Sequence, residues 1–186
     1  MRPLIKYLAP VFPQAEEHPV FFLDRDDTLI PDHAYLSDPD GVELLPNAAE
    51  GLKLLREKGY RLVLVSNQSG VGRGLITMEQ LAAVHARLVQ ILAENGVALD
   101  AAYLCPHAPS EECACRKPLT GLIDAARKDF AIPQGSVMAG DKAADIQLAR
   151  NSGLVAIQIR CPKRPGDLQA DYAADDLLDA AKWLAN

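Results

Sequence analysis

Two constellations of side chains in this 186-residue chain have the types and spacing for chemistry. The first is made of carboxylates. Asp24 and Asp26 stand two apart in Asp24-Arg25-Asp26-Asp27-Thr28-Leu29, directly after the apolar run Val20-Phe-Phe-Leu23, so extended backbone aims both the same way. Like charges that close are costly unless a proton or a cation intervenes. Asp141 arrives after another apolar run, and the three offer hard oxygen ligands of the kind Mg²⁺ takes together with waters and phosphate oxygens. A carboxylate can also attack phosphorus while its neighbour moves the proton. The second constellation is soft. Cys105-x-His107-x5-Cys113-x-Cys115 places three thiolates and one imidazole within eleven residues, the complement of a tetrahedral structural Zn²⁺ site. A closed set of four leaves no position for water. Zinc in such a loop has a folding role, and the frozen loop presents Arg116 and Lys117, which follow it, to an anion.

Further polar groups fall where a phosphate ester would need them. Ser66 offers a hydroxyl, Asn67 an amide, and Lys117 a point charge near the carboxylate pair. Lys142 stands at a helix start, where the macrodipole disfavours a cation, a placement that suits a nearby anion. Gly70, Gly72 and Gly74 surround Arg73 in a loop that can approach a ligand closely, and Arg73 can clamp a phosphate in bidentate fashion. His33 and Tyr35 lie in a long connecting segment, 31–46, and either contact substrate hydroxyls or pack on the rim. Taken singly, each feature has a bland reading as a solvated turn or strand end. Cys161, far from the other three cysteines, reads as an ordinary thiol.

These residues need elements to bring them together. Short apolar runs at Val20–Leu23, 61–65, 101–104, 137–139 and Val155–Ile159 read as buried strands. Helical patterns occupy 46–58, 120–130, Ala143–Ser152 and 175–185, with glycines ending the first and third. Another helix opens at Thr77-Met-Glu-Gln80, which has capping-box form, and carries Leu81, Val84, Leu88, Ile91 and Leu92 at helical spacing. Strands alternating with crossover helices predict an α/β, doubly wound parallel sheet covered on both faces. Ligands in such sheets sit beyond the carboxyl ends of the strands, at the switch point. Four strands end in chemically capable residues: Asp24 and Asp26, Ser66 and Asn67, Cys105 and His107, Gly140 and Asp141. That convergence is stronger than any single motif.

Composition removes several alternatives. With 19 basic and 25 acidic side chains the net charge is −6, against a general binder of nucleic acid or anionic membrane. Aromatics at 5% leave too few rings for a base-stacking surface. No apolar run reaches the roughly 18 residues of a membrane helix. Pro10 and Pro13 interrupt the apolar start, and Glu16 and Glu17 follow, so residues 1–19 are expected to form an N-terminal arm rather than a secretion signal. Clustered cysteines without such a signal point to reduced thiols, a metal and a cytoplasmic setting. A monomer of one domain, 20–186, with a small zinc loop at 105–115, is expected.

Over residues 20–160 the sequence resembles the haloacid-dehalogenase superfamily of phosphatases. Asp24-x-Asp26-x-Thr28-Leu29 is similar to its first motif, Ser66 to the second, Lys117 to the third and Gly140-Asp141-Lys142-x-x-Asp145 to the fourth. Within it, the chain most resembles the D-glycero-D-manno-heptose 1,7-bisphosphate phosphatases. Asp32-His33-Ala34-Tyr35, the run from Ser66 to Gly74, and Cys105-Pro-His107 through Arg116-Lys-Pro118 match that family's segments in order. The resemblance implies that Asp24 is the nucleophile and Asp26 the general acid and base, while Asp24, the Asp26 carbonyl and Asp141 hold Mg²⁺. It implies substrate contacts from Asp32, His33, Tyr35, Asn67, Gln68, Ser69, Arg73, Arg116 and Lys142, with Arg73 and Arg116 available for a distal phosphate. Asp27 and Ala34 replace glycines common in the family, Ser66 replaces threonine, and residues 1–19 have no match. Histidinol-phosphate phosphatases share the aspartates and the zinc loop, and that substrate is the first alternative. A scaffold that binds sugar phosphates without turnover is the second.

Overall fold

A computed structural model of the chain describes residues 2–9, 18–164 and 168–184. The prolines of the arm, Pro10 and Pro13, and the expected helix end at Ala185 lie outside the described residues. Seven strands form one sheet: β1 (Ile5–Leu8), β2 (Val20–Leu23), β3 (Arg61–Asn67), β4 (Ala101–Cys105), β5 (Val137–Gly140), β6 (Val155–Ile159) and β7 (Tyr172–Ala174). Their order is β1-β4-β3-β2-β5-β6-β7, and every pair is parallel except β1 with β4. The helices are α1 (Ala48–Glu57), the four-residue α2 (Ser69–Gly72), α3 (Met78–Glu94), α4 (Gly121–Ala126), α5 (Ala143–Ser152) and α6 (Leu177–Trp183).

The continuous apolar strands follow from burial on both faces. Along β2, Phe21 and Leu23 enter one core with Leu52, Leu55, Leu81, Leu88 and Leu177 of α1, α3 and α6. Val20 and Phe22 enter the other with Leu122, Ile123, Ile146 and Leu148 of α4 and α5. The two-residue pleat period sorts one run into two cores, so a polar pattern never develops.

Capping is as the spacing predicts at two helices. Thr77 accepts from the Gln80 N–H while Gln80 reaches back to the Thr77 N–H, and Gly153 ends α5 in the left-handed region at φ 70°. Three features depart from expectation. The arm is not free-standing: Ile5–Leu8 pairs antiparallel with β4, making the sheet mixed at that edge. Tyr172–Ala174 adds a three-residue strand at the other edge, too short to announce itself by pattern. Residues 120–130 keep only Gly121–Ala126 as helix.

Candidate active site

Strand order reverses between β2 and β5, and the Asp24 N–H donates to the Ala139 carbonyl at 3.0 Å across that seam. Asp24 therefore leaves β2 beside the point where Asp141 leaves β5, in the crevice expected of an open α/β sheet. Asp24 is 3% exposed. Its Oδ1 accepts from the Ser66 hydroxyl at 2.6 Å and the Arg25 N–H at 2.7 Å, and lies 2.9 Å from Lys117 Nζ. Burial alone would raise this carboxyl. The Lys117 and Lys142 charges and the Ser66 hydrogen bond outweigh it and hold the group below its ordinary range. Asp26 is pushed the other way. Burial, reinforced by the Asp24 charge, raises it against the Arg25 guanidinium, 2.9 Å away, and the Gln68 amide, 3.1 Å away. Two carboxyls separated by one residue are thus pushed in opposite directions by their surroundings.

Lys117 ties this floor together. Its Nζ lies 2.6 Å from Asp145 as well as 2.9 Å from Asp24, and donates to the Val65 carbonyl at 3.0 Å. Both carboxylates raise its pKa despite complete burial. Asn67 spends its whole amide on the Lys117 peptide, accepting from its N–H at 3.0 Å and donating to its carbonyl at 3.2 Å. It fixes Lys117 from the cavity wall. Gln68 likewise bridges Asp26 and Ser66.

Asp145, the last residue of the run that resembles the fourth motif, also belongs to the site, although no site role was assigned to it from the sequence. Its Oδ2 accepts from the Lys142 N–H at 3.0 Å, and burial lifts it to about 6 against the pull of Lys117. Gly140 makes room for it, since a Cβ there would lie 2.4 Å from the Asp145 carboxyl. The signal was present in the sequence as an acidic residue three after Lys142, the N3 position of a helix.

The carboxylate set fits a hard divalent cation. Ligand oxygens of Asp24, Asp141 and Asp145 lie within 4.8 Å of one another. Asp141 is 1% exposed, and its Oδ1 has no hydrogen-bond partner among the described residues. A buried carboxylate oxygen left bare is expensive unless a cation takes it. Burial, then the Asp24 charge, raises the Asp141 carboxyl. The Asp26 side chain is committed to Arg25 and Gln68.

At the end of β4 the second constellation closes. Cys105 and Cys115 each stand 3.8 Å from Cys113, and His107 Nδ1 lies 3.2 Å from Cys115 and 3.5 Å from Cys105. A tetrahedron with Zn–S bonds of about 2.3 Å has S···S edges of about 3.8 Å. The Cys115 thiol, donating to Cys105, draws that thiol down to about 5 while its own is pushed up. Sulfurs this close cannot all be thiolates without a cation among them. The loop also packs on α2, where a Cβ on Gly72 would meet Ala108 N at 2.2 Å.

Asp24, Asp26, Asp32, Tyr35, Asn67, Gln68, Ser69, Arg116, Lys117 and Lys142 line one cavity of about 490 Å³, with Ser66 beneath it. That is room for a small phosphorylated molecule. His33 and Arg73 are exposed and are not among the lining residues. Three cations were missed. Arg25 lines the floor, Lys163 reaches the rim from the loop after β6, and Arg164 donates to Asp141 at 2.6 Å. Lys163 and Arg164 also hold Asp27, the carboxylate that stands where the resembled family commonly has glycine. Asp27 takes the left-handed region at φ 55°, where glycine rests without strain, and turns its carboxylate to these cations and the Asp32 N–H. Lysine and arginine in a loop 136 residues away leave no local pattern that predicts the pairing.

A parallel sheet that ends in this carboxylate cluster at its switch point defines a phosphatase of the haloacid-dehalogenase class. Residues 19–176 match the family model described as polynucleotide kinase 3 phosphatase. The D-glycero-beta-D-manno-heptose-1,7-bisphosphate 7-phosphatase of Yersinia pestis is 38% identical over 179 residues, spanning 89% of this chain and 95% of its own. The enzyme of the same name from Haemophilus ducreyi is 37% identical over 175 residues, covering 88% and 96%. The crystal structure of D,D-heptose 1,7-bisphosphate phosphatase from B. bronchiseptica, complexed with magnesium and phosphate, superposes with a TM-score of 0.81 at 32% identity, covering 90% and 98%. The chain belongs to the heptose 1,7-bisphosphate phosphatase family.

Proposed function

We propose that this protein hydrolyses the C7 phosphate of D-glycero-D-manno-heptose 1,7-bisphosphate through an aspartyl-phosphate on Asp24. The observation that carries the mechanism is the opposed setting of Asp24 and Asp26 on the floor of a cation-lined cavity. Asp24 attacks phosphorus in line as the P–O bond to the sugar breaks, and Asp26 gives its proton to the departing sugar oxygen. Asp26 then takes a proton from the water that attacks the phosphorus, and the bond to Asp24 breaks to release phosphate. Lys117, Lys142 and the Ser66 hydroxyl hold the charge on the phosphoryl oxygens, the main task in such a transfer.

Asp24, the Asp26 carbonyl and Asp141 would hold Mg²⁺, which when bound neutralises phosphoryl oxygens. Cys105, His107, Cys113 and Cys115 would hold a structural Zn²⁺, supported by the sulfur spacing. Asp32, Tyr35 and Ser69 would meet sugar hydroxyls, and Arg116 and Lys163 the distal phosphate, a reading supported by their shared place in the cavity lining. The protein is proposed to act as a monomer, and four cysteines without a disulfide support a reducing, cytoplasmic setting.

The test is phosphate release from the heptose bisphosphate beside histidinol phosphate, each with and without Mg²⁺. Mg²⁺-dependent release from the bisphosphate, stopping at the monophosphate, is expected. Preference for histidinol phosphate would overturn the substrate, and binding without turnover of either would overturn the enzyme.

A further inference from the structure

Residues 2–8 lie outside the span that matches the family model, yet they are built against the cysteine–histidine loop. Ile5 pairs with Leu104, so the residues before it run past the end of β4 and over the loop that starts at Cys105. There the Arg2 carbonyl sits 2.8 Å from His107 Nε2. The other ring nitrogen, Nδ1, faces Cys105 and Cys115. A carbonyl only accepts, so Nε2 carries the proton and the Nδ1 lone pair is left toward the sulfurs. Arg2 is gripped twice. Its guanidinium pairs with Glu111 Oε1 at 2.9 Å, while Glu111 Oε2 accepts from the Ala108 N–H at 2.7 Å inside the same loop. Behind it, Lys6 pairs with Asp129, which also accepts from Tyr103 on β4 at 2.7 Å, and Tyr7 stacks on His85 with centroids 4.2 Å apart.

We infer that Arg2, through its backbone carbonyl, is a positioning residue for zinc: it fixes the His107 tautomer and ring so that Nδ1 is the ligating nitrogen. This rests on the reading of the loop as a zinc site. The outer hydrogen bond of a metal-bound histidine governs both its orientation and its basicity, and loss of such a partner typically weakens metal affinity about 10- to 100-fold. The edge strand β1 is then the mount that brings this carbonyl to the loop. It serves the metal from a segment that carries neither a ligand nor a catalytic group.

The experiment compares the full chain with a variant lacking residues 1–3, which loses the carbonyl but keeps β1, and with Arg2→Ala, which keeps the carbonyl and loses only the Glu111 pair. Zinc content, the rate of zinc release to a chelator, and ¹⁵N shifts of the His107 ring are read on each. Stoichiometric zinc on Nδ1 in the full chain is expected. Release about tenfold or more faster is expected in the truncated chain, and within threefold of the full chain in Arg2→Ala. Equal release from the full and truncated chains, or zinc on Nε2, would overturn the inference while leaving the zinc site standing. A full chain that takes up no zinc would sink the zinc reading and the inference with it.

Discussion

The cysteine–histidine loop and the carboxylate crevice sit at the ends of neighbouring strands and are assembled in opposite ways. The loop draws its four clustered side chains from eleven consecutive residues, so local spacing carries the whole cluster. The crevice takes Asp24 from β2, Ser66 from β3, Lys117 from the loop after β4, and Asp141 and Asp145 from β5 and α5. It exists only when the sheet is formed. Charge is handled differently too. In the loop the three sulfurs and the imidazole face one another, whereas in the crevice Asp24, Asp141 and Asp145 are each set against a lysine or arginine from another segment. The contrast teaches that one site is a local fastening and the other a product of topology, and that breaking each should leave a different signature.

The largest effect is expected at Asp24. Asp24→Asn keeps the shape and removes the nucleophile, so kcat should fall by about 10⁴-fold or more while zinc content and melting temperature hold. Next is Lys117→Met, which strands Asp24 and Asp145 in the interior. A loss of about 3–5 kcal/mol, read as a urea midpoint, and of nearly all activity should follow. Cys113→Ser attacks the other region. It should lower zinc below one per chain and drop the melting temperature by several degrees, with unchanged metal content refuting the zinc assignment.

A pH experiment probes the anchoring of the arm. Burial, and then the Arg25 charge, hold His85 down to about 4 against an ordinary 6.5, so the folded chain keeps it neutral. Its contribution is intact above 6.5 and is lost as pH falls from 6.5 toward 4, where the unfolded chain takes the proton first. About 3 kcal/mol should disappear across that window, and His85→Phe should flatten the difference. The smallest effect belongs to Arg73→Ala, which should leave kcat/KM within about threefold because Arg73 is outside the lining. A hundredfold loss would show that the loop closes over substrate.

Legibility followed the same division. The ligand set of the loop, the doubly wound sheet and the aspartate pair could be read because each is a short pattern: a spacing, a buried run, a strand end. The arm could not. Ile5–Leu8 shows an alternating half-buried pattern only once β4 is beside it. Asp27 reads as an intruder at a glycine position, and becomes intelligible only when Lys163 and Arg164 arrive from beyond β6. The resemblance implies substrate contacts from Asn67 and Gln68, and both line the cavity, but the hydrogen bonds that tie them to Lys117 and Asp26 leave no pattern in the sequence. Neighbours in sequence share a strand end but not a direction, which is also why Tyr35 lines the cavity and His33 does not.

Trapping the covalent intermediate tests the central claim most directly. Turnover of the heptose bisphosphate is quenched in acid, reduced with borohydride, and mapped by mass spectrometry, with a synthetic aspartyl-phosphate peptide carried through as the control. Conversion of Asp24 alone to homoserine is the predicted result. Homoserine at Asp26 or Asp141, or an untouched Asp24 in a fully active sample whose control peptide was reduced, would contradict it.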